Sequence, residues 1–541
     1  MKFHLKFNIK QIFWGILFLF LFYAFISLFG YHLKIIFFPH QLELREGAPL
    51  LLVSEFIKGN IPYTFKNQPY LSDVFGCIYP LFSIPFIKLF GLELSSMRIL
   101  TGLCIFFVSI YFFTLTYRLN KSVIFSLVLS LVFYGLNLFT VIPIVRPDSL
   151  GFLFFVLSLY FPIQRNLTCN SLLFSILFSF FAYLTKSYFI IGFPFVLVYI
   201  FLVQSKLRAV KFFTLFIVLF VALQVVIYQV FDFYFIGTFS NQLSSTVNDF
   251  NHLIIQLRFY FLELMLIPSF IFLYYTIRLL IQKKKIIDLF FIKPFDFLYY
   301  FSFEKNSTPL LRDTKIIDVN VLYFVLGLIL VIFKLGGHTG QFGVYLVHFL
   351  SFPLLLYIGS VFKKESSIFV GILFVLTLSQ VISILKIDRA FEVQSSFKKE
   401  IATISRTKEV LTSPILASEL VKQNKYVYAS GLTEYFFYVP ELKNNYGVPT
   451  ILAILKDKLL LDKINESEKK ITAYLDNISN KIQNRTFDLI YLDNTIYDDW
   501  LLDKKVLLKN YHVIDSMDVP MYASFQVIKV YKYIPRLVEE K

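Results

Sequence analysis

The sequence predicts a polytopic α-helical membrane protein that ends in a soluble α/β domain. Of its 541 residues, 57% are hydrophobic and only 16% are charged, and the mean hydropathy is +0.67. A water-soluble fold of this size could not cover so many apolar side chains with polar surface. Apolar runs close to the ~20 residues that cross a bilayer as a helix recur along the chain, so helices are the predicted spanning elements.

The apolar runs predict about eleven transmembrane helices within residues 1–387. The first run follows a basic start, MKFHLKFNIK, and contains no small-residue cleavage site, so we interpret it as a retained signal anchor. The predicted spans lie at about 12–38, 95–117, 122–145, 149–163, 170–185, 188–205, 212–236, 253–280, 318–334, 344–362 and 366–386.

Basic residues cluster in alternate loops between these spans. With a cytoplasmic N-terminus, the clusters fall in the inner loops and the opposite loops are nearly free of them, which is the positive-inside pattern. The inner cations are Lys2, Lys6, Lys10, Arg118, Lys121, Arg165, Lys206, Arg208, Lys211, Arg278, Lys283, Lys284, Lys285, Lys363 and Lys364. We therefore expect a multi-pass protein of a bacterial cytoplasmic membrane with an extracytoplasmic C-terminus. The formal net charge of +16 reflects these topology signals, so no nucleic-acid partner is predicted.

The first outer loop, residues 39–94, is too apolar to be an ordinary solvated loop. Its second half, CIYPLFSIPFIKLFG, is interrupted by Pro80 and Pro85. This composition predicts a helix lying in the membrane interface, and a hairpin that dips into the membrane is the alternative.

The chain changes character at about residue 388, where charges become frequent and membrane-length runs stop. Residues 388–541 are enough for one soluble domain. The β-rich runs KYVYASG, FDLIYLDN, YHVIDS and SFQVIKVYKY alternate with a long helical pattern, which predicts a small α/β layer.

No metal site follows from the spacing of ligand-type residues. Cys77, Cys104 and Cys169 lie in separate segments, so they indicate neither a disulfide framework nor a zinc site. Carboxylates of the outer loop are compatible with a divalent cation, Mg²⁺ or Mn²⁺, but no spacing requires one.

Polar and ionisable residues gather at the predicted outer ends of the spans. Such residues are costly near a bilayer and usually indicate function. They are far apart in sequence, but the predicted topology brings them to one level, which indicates a cavity that opens outward. They are Glu43, Glu46, Arg146, Asp148, Lys186, His252, Arg258, Lys334, His338 and Gln341.

A carboxylate among several cations fits an enzyme that uses an anionic lipid-linked donor. Arg and Lys side chains hold phosphate oxygens through charge-assisted hydrogen bonds. A carboxylate can take the proton of an acceptor hydroxyl, while cations stabilise the leaving phosphate.

The outer loop resembles the first outer loop of the GT-C glycosyltransferases, the superfamily of protein O-mannosyltransferases and lipid A aminoarabinose transferases. The matching features are the acidic residue in ELREG, the downstream GNIPY, the YPLF and PFIKLFG motifs, and Arg98 at the start of the second span. The stretches RPDSLGFLFFVLSL, TKSYFIIGFPFVL and GGHTGQFGVYLVHFLSFPLLL resemble later family segments. The resemblance covers most of residues 1–360, and the tail matches only by type.

The resemblance implies a polyprenyl-phosphate sugar donor, an outer-face site, inversion at the anomeric carbon, and a glycan, lipid or protein acceptor. Glu46 maps best to the catalytic base, because REG sits where such proteins often carry an acidic residue before glycine. Glu43, three residues earlier and on the same face if the segment is helical, is the alternative. This chain departs from the family here, because many members carry Asp, often with a second acid adjacent to it. Asp148 is implied to bind acceptor, donor or a divalent ion. The candidate phosphate ligands are Arg146, Lys186, Arg258 and His338, and the candidate acceptor or sugar contacts are Tyr63 and Gln341.

Structural roles stay open for the same residues. Glu43 and Glu46 could cap an interfacial helix, Arg146 and Asp148 could form a local ion pair that closes a turn, and Lys186 could extend to the lipid headgroups.

Two other functional classes also stay open. A transporter or flippase of lipid-linked saccharides would show inverted repeats or broken helices near midplane, which are not apparent, and a scaffold would only present the tail domain.

Overall fold

A computed structural model of the chain describes residues 9–71, 73–140, 142–234, 237–238, 250–260, 316–335, 344–361, 377, 380, 395–429, 458–493, 503–520 and 527–536. Most of the described residues before position 362 are helical. The helices are α1 (Ile9–Phe37), α2 (Gly47–Ile57), α3 (Ile78–Phe90), α4 (Leu94–Asn120), α5 (Val123–Leu138), α6 (Asp148–Gln164), α7 (Cys169–Thr185), α8 (Gly192–Val203), α9 (Lys206–Val230), α10 (Phe250–Phe259), α11 (Ile316–Leu330) and α12 (Phe352–Val361).

Three of these helices are long and apolar enough to cross a membrane. They are the Gly15–Phe37 part of α1, α4 and α9, and several shorter apolar helices lie beside them. The helical class of membrane protein is therefore compatible with the structure. The predicted span at 366–386 lies outside the described residues except for positions 377 and 380.

Short polar side chains mark the beginnings of several helices. Ser122 accepts a hydrogen bond from the backbone N–H of Phe125 at the start of α5, and Ser205 accepts one from Arg208 at the start of α9. Each cap satisfies a backbone donor that the first helical turn leaves without a partner.

The outer loop contains the helix that its second half predicts. Pro80 is the third residue of α3 and tolerates that position because the first-turn N–H groups have no helical partner. Pro85 lies inside the same helix, which continues to Phe90 and stops at Gly91, where φ is +93°. The first half of the loop contributes a second helix, α2, which the sequence did not predict.

Aromatic rings in edge-to-face contact join four helices into one core. The ring of Phe352 in α12 packs edge-on against Phe112 in α4 and Phe133 in α5, each with centroids 5.2 Å apart, and against Phe152 in α6 at 5.5 Å. These rings are buried, so the aromatic content of the sequence packs the interior here as well as the outer surface.

The C-terminal part forms a four-stranded mixed sheet with helices on its faces. Its elements are α13 (Ser395–Arg406), β1 (Val410–Thr412), α14 (Ala417–Lys422), α15 (Lys458–Gln483), β2 (Leu489–Leu492), α16 (Lys504–Asn510), β3 (Tyr511–Pro520) and β4 (Val527–Pro535). The order is β1-β2-β4-β3, with β1 parallel to β2 and the other pairs antiparallel. Alternate residues of β2 enter different cores: Ile490 packs with Ile478 of α15, and Tyr491 belongs to the core shared with the apolar helices.

The KYVYASG run is not a strand over its described residues 425–429, which corrects the sequence prediction. Its side chains have partners outside the sheet. The ammonium of Lys425 donates to the backbone carbonyls of Ile404 and Ser405 at the end of α13, at 2.7 and 2.9 Å, and Tyr426 stacks on Tyr70 of the outer loop. The parallel neighbour of β2 is instead β1, a segment that the sequence analysis did not single out.

Candidate functional site

Four charged side chains from distant parts of the sequence meet at the ends of α6 and α7. Nη1 of Arg146 lies 3.4 Å from Oε1 of Glu43, and Nε of Arg146 lies 3.1 Å from Oδ2 of Asp148. Nζ of Lys186 lies 2.7 Å from Oδ1 of Asp148. All four side chains are buried. We call Glu43, Arg146, Asp148 and Lys186 the charged cluster.

Local structure explains why the start of α6 and the end of α7 bring Asp148 and Lys186 together. Asp148 is the first residue of α6, where a carboxylate is favoured by the helix dipole. Lys186 is the first residue beyond α7, and its extended backbone (φ −156°, ψ 120°) turns the chain away from the helix axis. Its ammonium can therefore reach the beginning of the neighbouring helix.

Aromatic rings surround the cations of the charged cluster. Nζ of Lys186 lies 5.0 Å from the ring centroid of Phe75, 5.1 Å from that of Tyr188 and 5.8 Å from that of Tyr345. The hydroxyl of Tyr188 also donates to Oδ1 of Asp148 at 3.1 Å. Ring faces attract cations more strongly when water is excluded, so this wall helps to hold Lys186 in place.

Polar atoms in the charged cluster and in residues beside it keep hydrogen-bonding capacity that protein atoms do not use. Within the described part of the chain, Nη2 of Arg146, Oγ of Ser149 and both ring nitrogens of His348 are buried without a hydrogen-bond partner. Buried polar atoms rarely stay unpaired in native structures. His348 stacks on Phe152 with centroids 4.0 Å apart and interacts electrostatically with Asp148 and Lys186. The cluster is thus equipped to bind an additional polar group.

Glu46 is held in a different arrangement. Its side chain is 0% exposed, as is that of Arg98, and the two form paired hydrogen bonds of 2.9 Å (Nε to Oε1) and 2.6 Å (Nη2 to Oε2). The backbone N–H of Leu42 donates to Oε2 at 2.5 Å and that of Val145 donates to Oε1 at 2.8 Å. Both carboxylate oxygens are therefore saturated, and Glu46 fastens the outer loop to α4 and to the residue before Arg146.

Tyr63 contacts an acid that the sequence analysis did not consider. Its hydroxyl donates to Oδ2 of Asp73 at 2.8 Å, and the backbone N–H of Phe75 donates to Oδ1 at 2.9 Å. Burial raises the pKa of Asp73 from 3.8 to about 7, against the opposing effect of these hydrogen bonds. Phe75 is also part of the aromatic wall, so Asp73 supports the charged cluster indirectly.

The raised pKa of Asp73 predicts a pH-dependent stability. Because the folded protein binds this proton more tightly than the unfolded chain does, the stabilising effect is complete below pH ~4 and is lost as the pH rises through about 7. We expect the free energy of unfolding of the wild type to fall over this interval relative to that of Asp73→Asn, by at most ~1.4 kcal/mol per pH unit. Denaturation temperatures measured at a series of pH values follow this difference. Parallel curves for the two proteins would contradict a buried, proton-binding Asp73.

The C-terminal part contacts the segment that carries Glu43. The side chain of Gln41 donates to the carbonyls of Glu43 and Pro414, each at 3.1 Å, and accepts from the backbone N–H of Ser418 at 2.7 Å. Nδ1 of His40 lies 3.0 Å from Oε1 of Glu419. Position 47 must be glycine here, because a Cβ would lie 2.7 Å from Cβ of Ala417. The position of Glu43 therefore depends on α14.

The remaining predicted site residues do not join the charged cluster in the described structure. Arg258 is exposed on α10, so it is not in the buried cluster. His338 and Gln341 lie outside the described residues. Among the residues that the structure describes, no group of three or more His, Cys, Asp or Glu side chains is arranged to hold a metal ion. Glu43 and Asp148 are instead bridged by the guanidinium of Arg146.

Comparison with known protein families and with curated proteins finds no match for this chain. The functional interpretation therefore depends on the geometry of the charged cluster. Sequence reasoning missed the contributions of Asp73, Phe75 and Tyr188. Only Asp73 carried a usable signal, as an acid directly before the apolar half of the outer loop.

Proposed function

We propose that the protein is an integral membrane glycosyltransferase of the GT-C type. It transfers a sugar, with inversion, from a polyprenyl phosphate to an acceptor on the extracytoplasmic face. The observation that supports this most strongly is the charged cluster, in which two buried cations adjoin a carboxylate and Nη2 of Arg146 has no partner among the described residues. Arg and Lys in a site of low dielectric bind phosphate oxygens strongly.

The reaction assigns one role to each side of the cluster. The acceptor hydroxyl loses its proton to a carboxylate while its oxygen bonds to the anomeric carbon. The bond from that carbon to the phosphate oxygen breaks, and the polyprenyl phosphate leaves with the electron pair. Arg146 and Lys186 stabilise the charge on the departing phosphate, so no general acid is required.

Glu43 is the carboxylate best suited to accept the proton. Its side chain keeps slight exposure, at 10%. Its carboxylate accepts a long hydrogen bond of 3.4 Å from Nη1 of Arg146 and one of 2.8 Å from the backbone N–H of Arg45. Glu46 is saturated by Arg98, and Asp148 is enclosed by Lys186, Tyr188 and Arg146. We therefore assign the base to Glu43, assign the orientation of the two cations to Asp148, and give Glu46 a structural role.

Contacts between the outer loop and the C-terminal part support the proposed topology. Gln41 bonds to Ser418, and Tyr70 stacks on Tyr426, so both segments lie on one side of any membrane. An odd total number of spans, such as the eleven predicted, then separates the N-terminus from the C-terminal part. We place the N-terminus in the cytoplasm and the α/β part outside, in a bacterial cytoplasmic membrane.

Removing a cation should weaken use of the donor selectively. We expect Lys186→Ala and Arg146→Ala to raise the KM for the polyprenyl-phosphate sugar about 10- to 100-fold, because each removes a hydrogen bond to a charged group worth about 1.5–3 kcal/mol. The KM for the acceptor should change little. Steady-state kinetics of the purified protein in lipid measure both.

Lys88→Ala is the control, because Lys88 is an exposed lysine of the outer loop and is not part of the charged cluster. It should leave the KM for the donor unchanged. An unchanged KM for the donor in both cluster variants would argue against phosphate binding by Arg146 and Lys186.

A further inference from the structure

The C-terminal part contains a pocket that shares no residue with the charged cluster. It lies between the turn from α13 to β1, the segment after α14, and helix α15, and its cavity volume is about 430 Å³. This is within the ~300–1,000 Å³ typical of small-molecule sites. Its polar and aromatic lining consists of Lys408, Glu409, Lys425, Tyr426, Tyr428, Asn477 and Lys481.

A tyrosine ring is fixed at the rim of the pocket. Tyr426 stacks on Tyr70 with centroids 4.6 Å apart and an interplanar angle of 13°, and it meets Tyr428 edge-on at 4.6 Å. Even so, 48% of Tyr426 remains exposed. A ring held by two neighbours loses little entropy on binding, and its apolar face suits the C–H face of a sugar ring.

The pocket also carries positive charge. Three lysines, Lys408, Lys425 and Lys481, line it together with one acid, Glu409, which gives a net charge of +2 from these groups. Lys481 bonds to the hydroxyl of Tyr428 at 2.6 Å and lies 3.5 Å from Glu409. Lys408 is exposed and forms no ion pair with any residue that the structure describes. An anionic group entering the pocket would therefore find an available ammonium.

We propose that this pocket binds an anionic saccharide, a sugar ring that carries a carboxylate or a phosphate. Tyr426 packs against the ring, Lys408 pairs with the anion, and Asn477 hydrogen-bonds to hydroxyl groups. Tyr70 belongs to the same outer loop as Glu43, so a glycan bound here lies on the face where transfer is proposed. In the proposed transferase, this pocket would hold part of the acceptor glycan. That role rests on the proposed function, whereas binding of the saccharide does not.

Equilibrium binding to the purified full-length protein tests the pocket. Isothermal titration calorimetry measures the dissociation constants of glucose, glucuronate, glucose 6-phosphate and inorganic phosphate. We expect at least one of the two acidic sugars to bind tenfold or more tightly than glucose, and the better of the two identifies the anion. Inorganic phosphate should bind at least tenfold more weakly than the preferred sugar acid.

Two variants separate ring packing from charge. Tyr426→Ala should lower the affinity for the acidic sugar more than tenfold, and Lys408→Ala should lower it about five- to tenfold while leaving glucose unaffected. Lys398→Ala, which removes an exposed lysine of α13 outside the pocket, should change nothing. Denaturation temperatures establish that each variant is folded.

A wild-type protein that does not prefer an acidic sugar over glucose and inorganic phosphate would overturn the proposal. This includes a wild type that binds none of the sugars, or one that binds inorganic phosphate as tightly as glucose 6-phosphate and is insensitive to Tyr426→Ala. The outcome is independent of the transfer assay. Sugar binding without transfer would keep the pocket and remove the enzymatic function, and transfer without binding would do the reverse.

Discussion

Replacing Glu43 with Gln is expected to lower the rate of sugar transfer by about 10²–10⁴, the usual contribution of a general base. Gln preserves the size of the side chain and can still accept the hydrogen bond from the backbone N–H of Arg45. It cannot take the proton of the acceptor hydroxyl. The fold should survive, because the 3.4 Å contact with Arg146 is long and Asp148 still neutralises that guanidinium. The rate of transfer is measured with saturating donor.

Glu55→Gln is the matched control for this prediction. Glu55 is also a buried acid of the outer loop, but its two carboxylate oxygens bond to Lys58 and Asn60, at 2.7 Å each, instead of to the charged cluster. It should retain the wild-type rate within a few-fold. A folded Glu43→Gln protein with full activity would remove Glu43 from the mechanism.

Replacing Glu46 with Gln is expected to destabilise the protein by about 3–5 kcal/mol, because it leaves the guanidinium of Arg98 buried without a countercharge. Arg98 also donates to the carbonyls of Phe38 and His40 at 2.5 and 2.8 Å. The pair therefore joins the end of α1, the outer loop and α4. Thermal denaturation in detergent measures the loss, and any fall in activity should follow the loss of folded protein.

Glu93→Gln provides the comparison for Glu46→Gln. Glu93 is exposed and pairs with Lys422 across 3.2 Å, a surface contact worth about 1 kcal/mol or less. Its replacement should barely shift the denaturation temperature. A Glu46→Gln protein that is as stable as wild type yet inactive would reverse our assignment and make Glu46 the base.

The sequence predicted that the residues of the charged cluster lie at one level, but it did not predict which contacts each of them makes. Glu43 and Arg146 are about a hundred residues apart, and they come together because the ends of neighbouring helices lie at one level. The sequence could not distinguish Glu43 from Glu46, because the difference is set by Arg98, a cation fifty residues away. Its position at the start of an apolar helix shows that it needs a partner, but not which acid provides it.

Elements of the fold that depend on local sequence were predicted, whereas those that depend on distant contacts were not. Long apolar runs predicted α1 and α4 within a few residues, because helix formation in these segments depends on local pattern. The strand predicted for the KYVYASG run is wrong because Tyr426 packs against Tyr70 of the outer loop. Strand propensity depends on local sequence and carries no information about such a distant contact. The docking of α14 beside Glu43 was likewise absent from any local pattern.

The most direct test is mass spectrometry of polyprenyl-linked sugars and surface glycans in cells that lack the protein, complemented with wild type or with Glu43→Gln. We predict that one lipid-linked sugar accumulates, that a surface glycan loses the same sugar, and that only the wild type restores both. Unchanged sugars and glycans in cells without the protein, or full restoration by a Glu43→Gln protein, would contradict the proposed transferase.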